Sequence, residues 1–195
     1  MLNELTYTQE IFRKLIHISS SFIAILLWYF GKSILIPWIL LFAILFPIMD
    51  YSRKYITQLQ YVHYYIFSNV TRPYEKHNLS GASWVFIGAG LTVLIFNQNI
   101  AIISILVLSL SDTASALIGI KYGVTKLFAK SLEGTVAFFI ITYFIIFIFS
   151  TASPILIFIT ATIVAFIELI STQRVNDNVL IPICTATILY LGGIY

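Results

Sequence analysis

The sequence predicts an all-α integral membrane protein with about seven transmembrane helices and one amphipathic helix lying in the cytoplasmic interface. Three observations carry that expectation. Of 195 residues, 59% are hydrophobic and 10% charged, with a mean hydropathy of +0.96, whereas a soluble domain carries about 25% charged residues. The apolar residues fall into runs that approach the roughly 20 needed to cross a bilayer. Lysine and arginine are distributed unevenly between those runs, as membrane topology requires.

The first run, 13–30, opens on Arg13 and Lys14 and passes through His17. Glu4 and Glu10 precede it, no small-residue cleavage site follows, and further runs come after it, so it reads as a span and not as a cleaved signal. A GKS connection leads to the second span, 33–49. The segment 50–80 is more than linker: Tyr55, Leu59, Val62 and Ile66 recur at helical spacing, which predicts an interfacial amphipathic helix over 54–68. The third span is 81–96. After NQN, the fourth, 99–120, carries Asp112 in its apolar length. A basic, glycine-spaced stretch, 121–133, leads to the fifth span, 134–150. TAS precedes the sixth, 154–171, and 172–177 precedes the seventh, 178–194. Several runs are short for a full crossing, which predicts tilted, broken or partly inserted helices. The whole chain, 1–195, reads as one membrane catalytic domain without internal repeats. The one cysteine, Cys184, lies in the last run and reads as a packing residue.

With the N-terminus on the cytoplasmic side, Arg13, Lys14, Arg53, Lys54, Arg72, Lys76, Lys121, Lys126, Lys130 and Arg174 fall on that side and Lys32 alone on the other. That ten-to-one division supports both the span count and the orientation, and seven spans leave the C-terminus outside. The basic residues sit in short connections between apolar runs, which argues against nucleic acid as a partner.

Polar groups inside spans are costly and face a cavity or a partner when they occur. His17, Asp112, Glu168 and Asp177 are such groups, and all four fall toward the cytoplasmic leaflet, where Glu75, Lys126, Lys130 and Glu133 join them from the connections. Each has a plain structural reading. His17 suits a satisfied helix end, and Asp112 can be tolerated by pairing with a lysine. The small residues 109–116 suit close helix packing, Gly119 and Gly123 a helix terminus, and the lysines topology alone. Their coincidence on one face favours a site fed from the cytoplasm. Carboxylates, lysines and glycines together suit a polyphosphate and its Mg²⁺, which takes one or two carboxylates plus phosphate oxygens. No GxxxxGK[ST], HExxH or CxxC motif occurs, so neither a P-loop nor a zinc site is expected. Phosphoryl transfer at a membrane face fits best.

Five stretches then resemble the CTP-dependent lipid-alcohol kinases: dolichol kinase, phytol kinase and the yeast-type CTP-using diacylglycerol kinase, within the phosphatidate cytidylyltransferase-like membrane superfamily. They are RKLIH (13–17), RPYEKHNLSGAS (72–83), SDTASALIGIKYG (111–123), KSLEGT (130–135), and Glu168 followed by DNVLIP (177–182). They keep the family's order and cover nearly the whole chain. Ser111 stands where the family often has glycine, and Ser19–Ser21 follow the first histidine where the family also favours glycine; both exchanges are small for small. The chain is similar to a minimal catalytic core.

The resemblance implies an enzyme that moves the γ-phosphate of CTP to a polyprenol, a phytol-like alcohol or diacylglycerol at the cytoplasmic face, with Mg²⁺. It implies that Asp112 holds Mg²⁺ or activates the lipid hydroxyl, that Lys130 and Lys126 neutralise phosphate charge, and that Glu133 is a second metal ligand or orients Lys130. Gly119 and Gly123 would let the chain bend near the triphosphate, with Ser131 beside it. Arg13, Lys14 and His17 would meet the nucleotide from the first helix, Arg72 and Glu75 would brace the cytoplasmic lid, and Glu168, Asp177 and Asn178 would complete a polar wall. A cytidylyltransferase making a CDP-lipid is the alternative, and a transporter the third reading. The longer glycine-histidine-glycine-glycine signature expected of phosphatidate cytidylyltransferase does not follow KSLEGT. Oligomeric state and the identity of the lipid stay open.

Overall fold

The computed structural model describes residues 6–68, 70–71, 75, 78–128, 130–171 and 176–194. Among them run α1 (Tyr7–Ile18), α2 (Ser21–Phe30), α3 (Lys32–Ser52), α4 (Thr57–Phe67), α5 (Gly81–Ile95), α6 (Gln98–Leu106), α7 (Asp112–Tyr122), α8 (Leu132–Phe149), α9 (Pro154–Ile170) and α10 (Asp177–Leu191). A π-helical segment, Val107–Ser111, joins α6 to α7 without a break. An antiparallel hairpin of β1 (Lys126–Leu127) and β2 (Lys130–Ser131) joins α7 to α8.

All seven expected apolar runs are helical, and the chain is an all-α membrane protein. Tyr7–Phe30, Lys32–Ser52, Gln98–Tyr122 and Leu132–Phe149 are long and apolar enough to cross a bilayer, whereas α5, α9 and α10 are shorter apolar helices. At 1.5 Å per residue, the 15 residues of α5 reach about 22 Å.

Local chemistry sets the boundaries. Thr6 caps α1 in a reciprocal box with Gln9. The α1–α2 break falls at Ser19–Ser21, where each hydroxyl donates to the carbonyl three residues back, at 2.6, 2.6 and 2.7 Å. Such back-bonding competes with the helix ladder and bends it. Gly31 ends α2 at φ +80°, a conformation open to glycine at no steric cost.

Two apolar clusters form the interior. One gathers Ile103, Leu108, Phe138, Ile146, Ile157 and Ile181 from α6, the π segment and α8–α10. The other gathers Leu27, Ile39, Ala89, Val93, Ile102 and Ile105 from α2, α3, α5 and α6. The Gln98–Tyr122 helix belongs to both and is 78% buried over its apolar window, against 11% for α3. Asp112 therefore sits on the central helix of the fold, surrounded by protein. The expected interfacial helix is α4. It buries none of its residues in the protein and leaves its tyrosines and Ile66 exposed.

The polar side chains collect at one end of the bundle, formed by α1, the end of α3, the start of α5, α7, the hairpin, the start of α8, the end of α9 and the start of α10. Lys32 lies at the opposite end, donating to the Phe96 carbonyl at 2.7 Å. The segregation matches the uneven charge distribution in the sequence.

Candidate active site

Lys14 and His17, three residues apart on α1, share a helix face and meet α7. The Lys14 ammonium pairs with Asp112 Oδ2. His17 Nε2 lies 3.2 Å from the same oxygen and 3.3 Å from the Leu108 carbonyl. Both neighbours are acceptors, so Nε2 carries the proton. The side chains of Lys14 and Asp112 are 3% and 10% exposed. Buried charges persist only when paired and hydrogen-bonded, and here each answers the other. The π segment makes this possible, because its wider turn releases carbonyls from the α ladder. Leu108 gives its carbonyl to His17, while the Ser109 carbonyl accepts the Thr113 hydroxyl at 2.7 Å, the i−4 bond that threonines also make along the regular helices here. Arg13 pairs with Glu10 on the same helix and lies within electrostatic range of Asp112 and Glu75.

A second cluster stands beside the first. Lys130, at the end of the hairpin, donates to Glu168 Oε1 at 2.7 Å and to Ser171 Oγ at 3.0 Å, with Asp177 Oδ2 at 3.5 Å. Ser115 on α7 donates to the same Glu168 oxygen at 3.0 Å. Glu168 is 2% exposed, and its Oε2 has no hydrogen-bond partner among the described residues. Burial works to lower the Lys130 pKa, but the charges of Asp177, Glu168 and Asp112 outweigh it and the value is raised, so the ammonium stays charged. The two clusters share one field: Lys130 feels Asp112, and Lys14 feels Asp177. Side-chain exposures of 25% for Lys130 and 31% for Asp177 leave this edge open to a soluble ligand.

The glycines hold α7 against α8. A Cβ on Gly134 would stand 2.7 Å from the Ser115 carbonyl and 3.2 Å from the Gly119 Cα. One on Gly119 would stand 2.9 Å from Ser131 Oγ, and one on Gly123 only 2.2 Å from the Gly119 carbonyl. Ser131, buried, caps α8 by accepting from the Gly134 amide at 3.2 Å. In this structure Gly119 and Gly123 thus serve close packing around Ser131. Asn178 is buried where α10 crosses α5 at Gly88; a Cβ on Gly88 would meet the Asn178 carbonyl at 2.1 Å.

One expectation from the sequence needs correction. Glu133 does not orient Lys130: from the first turn of α8 its carboxylate accepts the Thr125 amide at 3.0 Å, while Lys130 is fixed by Glu168, Ser171 and Asp177. Asp112 is held by its α1 partners, and Glu133 by the 124–125 turn. Among the described residues, no group of three or more His, Cys, Asp or Glu side chains could hold a metal. Lys126 is exposed on β1, and Arg72 lies outside the described residues.

A cluster not expected from the sequence braces the same end. Asp50 and Arg53, both buried at the end of α3, lie 3.2 Å apart. Asp50 Oδ2 accepts from the Ser80 amide at 2.7 Å and the Ser83 hydroxyl at 2.5 Å, holding the start of α5. Arg53 donates to the carbonyls of Glu75 and Asn78, at 2.7 and 3.0 Å, and to His63 Nε2 on α4 at 2.6 Å. The signal available was an aspartate three residues before an arginine at a span end, facing the serines of NLSGAS. Glu75 itself is buried.

The chain is 30% identical to a CTP-dependent diacylglycerol kinase of Schizosaccharomyces pombe over 98% of its own length and 99% of that protein's. It is 37% identical to a CTP-dependent diacylglycerol kinase of Saccharomyces cerevisiae over 67% of its own length and 47% of that protein's. An uncharacterized protein of Rickettsia prowazekii is 34% identical over 71% of this chain and 70% of its own. No family model matches, and no solved structure matches.

Proposed function

The chain belongs to the family of CTP-dependent lipid kinases, and from that premise we propose that it moves the γ-phosphate of CTP to the hydroxyl of diacylglycerol at the cytoplasmic face of a membrane. Polyprenols and phytol-like alcohols are the other acceptors that its apolar walls suit. The observation that carries this reading is the pair of neighbouring clusters, Lys14–Asp112–His17 and Lys130–Glu168–Asp177, at the bundle end where the basic residues collect.

Lys130 and Arg13 face the charge of the triphosphate, and Lys14 holds Asp112 in place. Mg²⁺ fits the donor set without an all-protein cage, since it commonly takes one or two carboxylates plus substrate phosphates. Asp112, whose Oδ2 is occupied by Lys14 and His17, would offer its other oxygen, and Asp177 would be the second carboxylate, in place of Glu133. The ion would offset charge on the β- and γ-phosphates. Catalysis then rests on positioning and charge neutralisation, as phosphoryl transfer generally does. The glycine-backed Ser131 turn fixes Lys130, and Ser115 fixes Glu168.

The test is a product assay on purified protein, with CTP labelled separately on the γ-phosphate and on the base. Polyprenol, phytol, diacylglycerol and phosphatidate are offered in turn. Label from the γ-phosphate in diacylglycerol is the expected result. Label from the base in phosphatidate would make the protein a cytidylyltransferase and overturn the proposal.

A further inference from the structure

On its lipid-facing side the protein carries a shallow groove of about 260 Å³ between α8 and α9, lined by Thr135, Val136, Phe139, Thr162, Ala165, Phe166 and Leu169. Its two threonines do not make it polar. Thr135 donates its hydroxyl to the Ser131 carbonyl and Thr162 to the Phe158 carbonyl, so each satisfies its own helix. From Thr162 to Leu169 the α9 wall runs about 10 Å. One end of the groove is apolar and opens toward the bilayer. The other ends at Leu169, next in sequence to Glu168, and at Thr135, one turn from Ser131 and Lys130.

Behind that end, on the inward face of α9 and not part of the groove lining, lies a second, independent feature. Glu168 is almost wholly buried and has one oxygen, Oε1, engaged by Lys130 and Ser115, while Oε2 has no partner among the described residues. A buried carboxylate oxygen without a hydrogen bond is costly, and native interiors rarely leave one so. An alcohol hydroxyl is the donor that would complete it. A hydrocarbon chain lying in the groove would bring its hydroxyl to Ala165 and Leu169, the lining residues that flank this carboxylate on α9.

Resting on the kinase reading, we propose that the α8–α9 groove seats a hydrocarbon chain of the acceptor lipid and that the acceptor's hydroxyl donates to Glu168 Oε2, beside Lys130. The bilayer is as apolar as the groove, so hydrophobic transfer contributes little to the binding. The groove instead orients the chain by packing, and its effect falls on productive placement of the hydroxyl.

The test uses the full chain in phosphatidylcholine nanodiscs with a diacylglycerol bearing a photoreactive diazirine on one acyl chain. Crosslinks mapped by mass spectrometry are expected in 135–139 and 162–169. Excess plain diacylglycerol should remove them, and excess phosphatidylcholine should not. Val136→Trp, at an exposed groove position, should melt as the parent does, reduce the crosslink and lower kcat/KM for diacylglycerol about tenfold. Crosslinks on other helices, or crosslinks that phosphatidylcholine removes equally well, would overturn the groove. Transfer of γ-label from CTP in the same nanodiscs judges the kinase reading separately. Absence of transfer to any lipid would sink that reading, while the crosslink map would still decide the groove.

Discussion

Lys14 and Asp112 give the sharpest handle on the site, because each is nearly inaccessible and each is the other's counter-charge. Asp112→Asn keeps shape but leaves the Lys14 ammonium buried without a carboxylate, and Lys14→Met leaves the carboxylate without its ammonium. Removing one partner of a buried pair costs about 3–5 kcal/mol. For a chain of this length that corresponds to a fall of about 6–20 °C in melting temperature. The double variant, Lys14→Met with Asp112→Asn, buries neither charge and should recover most of the loss, an energetic coupling of about 3 kcal/mol or more. Melting in detergent and γ-phosphate transfer would be followed on all four proteins. Stability should return in the double variant while turnover stays down by about a hundredfold or more. Additive losses of stability would refute the pairing, and wild-type turnover in Asp112→Asn would reduce Asp112 to a structural residue.

Lys130→Ala should weaken CTP binding, read by nucleotide titration; an unchanged affinity would leave Lys130 a topology residue. Because the folded-state pKa of Lys130 is raised from 10.5, its pairing contribution to stability is fully present below 10.5. It is lost as pH rises through the higher folded value, so the difference in melting between parent and Lys130→Met should shrink in strong alkali. Gly134→Ala drives a Cβ against the Ser115 carbonyl and should cost about 1–3 kcal/mol, with lower turnover, since Ser115 positions Glu168. His63 behaves in the opposite sense to Lys130. Its pKa is lowered from 6.5, first by burial and then by the Arg53 charge, so its contribution is present above 6.5 and lost as pH falls through the folded value. Limited proteolysis within α4 should therefore quicken at acid pH, and much less so in His63→Gln.

The helices were legible because hydrophobicity is the signal that a bilayer enforces. All seven apolar runs are helical; their ends fall within about three residues of those expected, except that the first begins six residues earlier, at Tyr7, and is broken into α1 and α2. The α1–α2 break was present in Ser19–Ser21 but stood out only as a departure from the family's glycine. The hairpin was not legible: strands of two residues show no alternation, and KSLEGT reads equally well as loop. Nor was the π segment, since nothing in VLSLS distinguishes i→i+5 hydrogen bonding from i→i+4. At the site, residue types and their shared leaflet could be read from the sequence, but partners could not. Lys14 and Asp112 are 98 positions apart, and their pairing follows from α1 packing on the central helix. Glu133 misled because it stands three residues from Lys130 in sequence, yet the hairpin-to-helix turn sends the two side chains to different partners.

The π segment explains how one helix serves both the core and the site. Leu108 lies in the apolar cluster while its carbonyl receives His17, and four residues later Asp112 faces α1. A π turn accommodates one residue beyond the α repeat while the flanking helices keep their facing. Deleting Leu110, which is only partly buried, should let the turn close to α pitch with Asp112 still toward Lys14. Deleting Ile103, in regular helix, would instead rotate one side of the helix against the other by about 100°. The Leu110 deletion should therefore melt nearer the parent than the Ile103 deletion. It should still lose turnover, because the closed ladder reclaims the Leu108 carbonyl and with it the anchor of His17. Equal destabilisation by the two deletions would show that the segment does not absorb register. Full activity after the Leu110 deletion would show that the released carbonyl does not position His17 and Asp112.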